Sequence, residues 1–186
     1  MSKFDSLKKE ILDIASKSPI PNDRDHSEAA LRWVLILKPN ADEALQIAAL
    51  SHDIDRGVTG ITEKDCKEYS KIKEFKKEHA IRSANIIGDL MKKQGYDKSA
   101  IKKVKHLVES HEEGGDDEQN VLMQADSLAY FELNIPMYLN RYGREQTIKK
   151  IQFMYKRLSE KARHSIQQIK FAKDVKELVE EATSNI

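Results

Sequence analysis

A single cysteine, Cys66, stands in the whole chain, so no internal disulfide can staple the fold and no cluster of thiolates can hold a zinc ion. It is expected as an exposed spare thiol. No apolar run approaches the roughly 18 residues that a bilayer crossing needs. The opening MSKFDSLKKEILDIA is charged and amphipathic, without a signal peptide's apolar middle or small-residue cleavage site. A cytoplasmic protein that enters no membrane is expected. Excess charge of one sign is missing too: 32 Lys and Arg against 31 Asp and Glu leave a net charge of +1, which removes the strong field that would favour nucleic acid. The β-branched alternation of strands is absent as well. What is present is 39% hydrophobic and 34% charged residues over 186 positions, enough to bury one core and too apolar for disorder. A single domain over residues 1–186 is the expectation.

Apolar residues recur at three- and four-residue spacings almost throughout, which predicts an all-α fold. Helices are expected at about 3–17, 24–38, 41–54, 62–69, 71–94, 97–111, 117–132, 134–141, 144–160 and 161–184. The breaks fall at SPIPND, at Lys38-Pro39-Asn40, at GVTGI with Thr62 as an N-cap, at QGYD and at EEGGDD. The few glycines are expected between segments. From about residue 134 the chain turns more basic, as a C-terminal helical subdomain packed on the front half would. The amphipathic first helix, with Phe4, Leu7, Ile11 and Ile14, is suited either to covering the domain or to forming a homodimer.

Helical geometry sorts the six histidines, because residues at i, i+3, i+4 and i+7 share a face. His26 lies with Ala30, Trp33 and Leu37. His52 shares its face with Leu45, Ala48 and Ala49, and Asp53 stands one step round. His79 continues the row of Ile72, Phe75 and Ile86, His111 that of Ile101, Val104 and Val108, and Asp126 sits among Leu122, Ala129 and Leu133. Five helices thus aim a metal-competent group inward. His106 and His164 fall instead on polar faces and are assigned to solvent. Burying an unpaired carboxylate costs several kcal/mol, so Asp53 and Asp126 beside imidazoles call for a compensating cation or ion-pair partner, and a divalent metal serves both at once. Mixed carboxylate and imidazole donors suit Fe, Mn, Co, Ni or Zn, whereas Ca and Mg prefer more oxygen.

Two rival metal motifs fail. DIDRGVTGITEK opens like a calcium loop but has Val58 at the sharp turn and Lys64 where a bidentate Glu belongs. In HLVESHE the two histidines are five apart, about 140° round a helix, and cannot form the same-face pair of a zinc protease.

The succession His26, His52-Asp53, His79, His111 and Asp126, with the contexts Ala-Leu-x-His-Asp-Ile and Ala-Asp-x-Leu, resembles the motif order of the HD-domain superfamily of metal-dependent phosphohydrolases over about residues 24–130. The resemblance implies an all-α bundle whose first His, His-Asp pair and last Asp bind one divalent ion. In members with both intermediate histidines, it implies a second ion, with the Asp of the pair bridging. His79 and His111 match those positions. Arg56 stands where many members place a basic residue on the substrate phosphate. The chain departs from the alarmone hydrolases, which carry Glu-Asp where this one has Ile54-Asp55-Arg56-Gly57, from single-metal nucleotidases with an acidic residue in place of Arg56, and from the Gly-Tyr-Pro signature of cyclic-diguanylate phosphodiesterases.

The expected function is hydrolysis of a phosphomonoester or phosphodiester of a small molecule, a nucleotide before others, by a metal-activated hydroxide. Asp53 and Arg56 are its expected catalytic residues. Arg56, Arg141 and Arg144 are the expected substrate ligands, with Lys149, Lys150, Lys156 and Arg157 as further basic candidates. Tyr142 or Tyr155 offers an aromatic face to a base. The competing expectation is a metal-containing nucleotide sensor without turnover.

Overall fold

Ser2 starts the first helix with a reciprocal cap: its hydroxyl accepts from the Asp5 N–H at 3.0 Å while the Asp5 carboxylate accepts from the Ser2 N–H at 3.0 Å. The computed structural model, which describes residues 2–184 and 186, continues from there as helices α1 (Lys3–Ala15), α2 (Asp23–Leu37), α3 (Glu43–Ser51), α4 (Ile54–Thr59), α5 (Ile72–Lys93), α6 (Lys98–Glu109), α7 (Asp117–Ala129), α8 (Ile135–Lys156), α9 (Glu160–Ser165) and α10 (Lys173–Thr183). No strand occurs among the described residues, and the fold is an all-α bundle. Asp42, Asp97 and Asp116 cap α3, α6 and α7 through hydrogen bonds to first-turn N–H groups.

The centre of the bundle is α3, whose Leu45, Ile47, Ala48, Ala49 and Leu50 are almost wholly buried because α1, α2, α5, α6 and α7 all pack on it. Each large side chain there contributes about 1.5–3 kcal/mol by burial. The first helix lays Leu7, Ile11 and Leu12 on this same core. One continuous apolar cluster runs from Leu7 to Ala182, with Ile151, Met154, Val175 and Leu178 of α8 and α10 joined to it. Among the described residues, no helix is long and apolar enough to cross a membrane.

Several expected segments are corrected. The 41–54 helix ends at Ser51, and His52-Asp53 form a turn before α4. Thr62 does cap with Asp65, but the 62–69 helix is only two short 3-10 turns, since the backbone leaves helical angles at Cys66. The 161–184 helix is split by a 3-10 turn at Ile166–Gln168: α9 packs on α7 and α10 on α8, and one straight rod cannot reach both. The expected break near residue 133 is a π turn, Tyr130–Asn134, that runs into α8. The wider turn makes room for Pro136, which has no N–H to give the helix. Glu132 in this turn accepts from Trp33 Nε1 at 2.8 Å and from Arg32 at 2.6 Å, tying it to α2. Gly143 does break α8, at φ 76° and ψ 174°, angles that favour glycine. Gly57 and Gly88 lie inside helices rather than between them.

Candidate metal centre

The turn after α3 sets the geometry. His52 caps the C-terminus of α3 with helical angles still, while Asp53 leaves them at φ −104°, ψ 12°, so the two neighbours approach one point from different backbone directions. His26 reaches it from α2, His79 from α5, His111 from just past α6 and Asp126 from α7. His26, His52, Asp53, His79 and His111 are all under a tenth exposed, and the Asp126 side chain is 13% exposed.

Asp53 divides its two oxygens between two groups of ligands. On one side, His26 Nε2 and His52 Nε2 stand 3.2 Å apart, and each faces Asp53 Oδ2, at 4.0 and 3.6 Å. Asp126 Oδ1 joins them at 3.1 Å from His26 and 3.6 Å from His52. On the other side, Asp53 Oδ1 lies 2.8 Å from His79 Nε2 and 3.9 Å from His111 Nε2. Donors bound to one ion at bond lengths near 2.1 Å stand about 3.0–3.4 Å from each other in octahedral or tetrahedral arrays. Within each of the triads His26, His52, Asp53 and Asp53, His79, His111, one ligand atom per residue lies within 4.8 Å of the others, so both suit an ion.

The outer nitrogen of every ring is already committed. His52 Nδ1 donates to the Ala49 carbonyl at 2.9 Å and His111 Nδ1 to the Val108 carbonyl at 2.8 Å, two carbonyls near helix C-termini that lack full intrahelical partners. His26 Nδ1 donates to Asn134 Oδ1 at 3.0 Å, and His79 Nδ1 to Asp55 Oδ1 at 2.5 Å. These bonds assign the proton to Nδ1 and leave each Nε2 with its lone pair turned inward. Neutral His26 and His52 then have no proton to share between their Nε2 atoms. A cation between them satisfies both.

Electrostatics agree with that need. Burial opposes charge on His52, yet Asp53 and Asp126 overcome it and push the imidazole up to about 9: the site attracts a positive charge, a proton or a metal ion. Burial alone would raise the Asp53 carboxyl, but Arg56, His52 and His79 hold it well below the usual carboxylate range. His111, where burial prevails, is pushed down to about 4 and is a ready neutral ligand.

An open cleft lies over the centre, lined by His26, Asp53, His111 and Asp126 together with basic and tyrosine side chains of the π turn and α8. Arg56 is in its wall, paired with Asp53 and 3.5 Å from Asp23, while its neighbour Asp55 pairs with His79 and Arg82 instead. Arg141 lines the cleft and is exposed. Arg144 does not: one residue past the Gly143 break, it pairs with Glu181 of α10. His106 is exposed and bonded to Asp116, and His164 is exposed. Cys66 is half-buried.

Three contributors escape the sequence reading, and a fourth, Arg157, takes a different part from the phosphate contact expected of it. Asp55, fully buried, holds His79 and accepts from Arg82 Nε at 2.8 Å. Asn134 holds His26 from a position that only the π turn creates. Glu112, 4.0 Å from His111 Nε2, pairs with Lys76 at 2.9 Å. Burial would raise its carboxyl, but Lys76 and His111 bring it down to about 2. Arg157, at the C-cap of α8, donates to the His111 carbonyl at 3.0 Å and stands 3.5 Å from Asp126 Oδ2, anchoring two candidate ligands. The acidic neighbours of His52 and His111 in DID and SHEE are the signal that could have raised the first and third.

The family model described as "Domain of unknown function (DUF4202)" matches residues 2–179, and the chain belongs to that family. Neither a search of curated proteins nor one of solved structures finds a match.

Proposed function

We propose that this member of the family is a metal-dependent phosphohydrolase of the HD-domain type that cleaves a phosphate ester of a small molecule, a nucleotide before others. The observation that carries the reading is the divided use of Asp53, one oxygen facing His26 and His52 and the other His79 and His111, with every ring fixed from behind. His26, His52, Asp53 and Asp126 would hold one divalent ion (Fe, Mn, Co, Ni or Zn), and Asp53, His79 and His111 a second. Such ions supply Lewis acidity, lowering the pKa of a water and offsetting phosphoryl charge.

The chain's own residues do the remainder. Asp55, Asn134 and the Ala49 and Val108 carbonyls keep the four rings in the ligating tautomer. Arg56 steadies Asp53 and, from the cleft wall, can turn its remaining N–H groups to a phosphoryl oxygen. Glu112, ionised down to about pH 2, is a weak base near neutrality; its part is to fix Lys76. At the mouth, exposed Tyr142 with Arg141 5.8 Å from its ring centre offers a stacking face to a nucleobase.

The test is turnover of a panel of phosphomonoesters, phosphodiesters and nucleotides by the full chain with added Mn. Hydrolysis by the wild type that is lost in Asp53→Ala and kept in His106→Ala is the expected result. Bound metal with tight nucleotide binding and no turnover on any class would replace the hydrolase with a sensor.

A further inference from the structure

Three of the cations that line the cleft are already engaged: Arg56 with Asp53 and Asp23, Lys76 with Glu112 and Glu63, and Arg157 with Asp126 and the His111 carbonyl. Lys64 and Arg141 stand exposed at the rim. Lys150 differs from all of these. It is half-buried in the cleft lining, and its ammonium forms no ion pair among the described residues. That ammonium lies 5.7 Å from the ring centre of Tyr130 and 5.5 Å from that of Phe153. Lys76 and Arg157 approach the same Phe153 ring, at 5.9 and 5.4 Å. Three cations therefore converge on one aromatic side chain, and only two of them bring a carboxylate.

The second observation is independent. Tyr130 is 5% exposed, lines the same cleft, and its buried hydroxyl has no hydrogen-bond partner. A buried hydroxyl left unsatisfied costs free energy, and so does a half-buried ammonium on which Glu63, Glu112 and Asp126 act only from beyond ion-pair distance. Both groups donate, both are in one cleft, and Asp126 of the metal centre is in its wall. The backbone has two irregularities where they are set: the π turn begins at Tyr130, and the break at Gly143 redirects the second half of α8, which carries Lys150, relative to the first half, which carries Arg141 at the rim.

We propose that the Lys150 ammonium and the Tyr130 hydroxyl form an oxyanion subsite that receives oxygens of the substrate's phosphoryl group. The identity of the anion rests on the phosphohydrolase reading; the call for an anion rests on the two unpartnered donors. A phosphoryl group suits the place better than a carboxylate, because its tetrahedral oxygens can serve the metal centre on one side and Lys150 with Tyr130 on the other.

The experiment is isothermal titration of the metal-loaded full chain with phenylphosphonate, whose C–P bond resists hydrolysis, and in parallel with inorganic phosphate. Lys150→Met is expected to weaken both on the order of tenfold and Tyr130→Phe severalfold. Lys150→Arg should recover most of the loss, with metal content and far-UV circular dichroism unchanged throughout. Wild-type affinity in both Lys150→Met and Tyr130→Phe would overturn the subsite, and a loss confined to inorganic phosphate would overturn its assignment to substrate. Should Lys150→Met fail to fold, Tyr130→Phe and Lys150→Arg still decide. Lys150-dependent phosphonate binding in a protein that hydrolyses no ester leaves the subsite standing and removes the hydrolase; ester hydrolysis with phosphonate affinity indifferent to Lys150 does the reverse.

Discussion

Asp53 Oδ1 lies 2.8 Å from His79 Nε2 while Oδ2 of the same carboxylate faces His52 Nε2 at 3.6 Å. One side chain therefore stands between two sets of imidazoles, and its orientation couples them. Arg56 pairs with Oδ2 and Asp55 holds His79 from behind, so the bridge is fixed from both ends. A carboxylate with this placement has a larger consequence when removed than any single ring.

Asp53→Ala should accordingly remove both ions, whereas His79→Ala should remove only one. Elemental analysis of purified proteins checks this directly: near two ions per chain in the wild type, about one in His79→Ala, and little in Asp53→Ala. His106→Ala, whose imidazole is exposed beside Asp116, should keep the wild-type content. Full metal content in Asp53→Ala would end the two-ion assignment.

Asp55→Asn tests the support behind the site. The amide can still accept from His79 Nδ1, but it removes the charge that makes the ring a stronger ligand and leaves Arg82 only its longer contact to Glu78 at 3.9 Å. Loss of such a supporting group typically weakens metal affinity about 10- to 100-fold. Competition with a fluorescent chelator should find one ion loosened by that factor and the other held, because the His26 and His52 side has its own supports in Asn134 and the Ala49 carbonyl.

The inward faces of the metal-site helices were legible because periodicity needs only local spacing, and the bundle keeps those faces in the core. His26, His52, His79, His111 and Asp126 are where their apolar neighbours place them. Positions that depend on a change of helical phase were not legible. The His52-Asp53 turn brings Asp55 under His79; the π turn moves Asn134 onto His26; the Gly143 break sends Arg144 to Glu181 rather than into the cleft. Each is an irregularity of a few residues whose reason lies in packing partners distant in sequence. The missed split of the 161–184 segment has the same origin, since α9 and α10 dock on different helices.

Metal removal should destabilise the whole bundle, because the candidate ligands come from α2, the α3–α4 turn, α5, the segment just past α6, and α7. Ion present at a hundredfold its dissociation constant contributes about 2.7 kcal/mol through mass action. In a domain of this size, that corresponds to roughly 5–10 °C in melting temperature. Thermal denaturation before and after chelation measures it, and restored metal should return the difference. Asp53→Ala should melt at the same temperature with and without chelator.

Acid should weaken a second, metal-independent junction. Glu118 bridges Lys38 at 2.5 Å and Lys103 at 2.6 Å, and Lys103 also reaches Asp42 at 2.7 Å, which links α7 to the end of α2, to α6 and to the cap of α3. Burial would raise the Glu118 carboxyl, but Lys103 and Lys38 outweigh it and hold it below its ordinary value. A depressed carboxylate contributes its stability above the unfolded pKa, near 4.5, and loses it as pH falls through the folded value. These side chains are 22–53% exposed, so the contribution is at most about 1 kcal/mol. Urea midpoints should fall below pH 4.5 more steeply in the wild type than in Glu118→Gln, and the two curves should converge at the acid end.

Gly57→Ala probes how closely α1 packs on α4. A Cβ at Gly57 would collide with the Ile14 carbonyl oxygen and carbon, both main-chain atoms that cannot rotate aside. Either α1 lifts or α4, which carries Arg56, shifts. Overpacking of this kind costs about 1–3 kcal/mol, or roughly 2–12 °C in melting temperature for a chain of this length. Gly60→Ala separates steric from conformational causes: nothing lies within 4 Å of its Cβ, and its φ of 71° alone penalises a side chain. Gly57→Ala should therefore lower the melting temperature further than Gly60→Ala. Shortening Ile14 cannot relieve the clash, because the obstacle is backbone, so Ile14→Ala combined with Gly57→Ala should restore none of the lost stability.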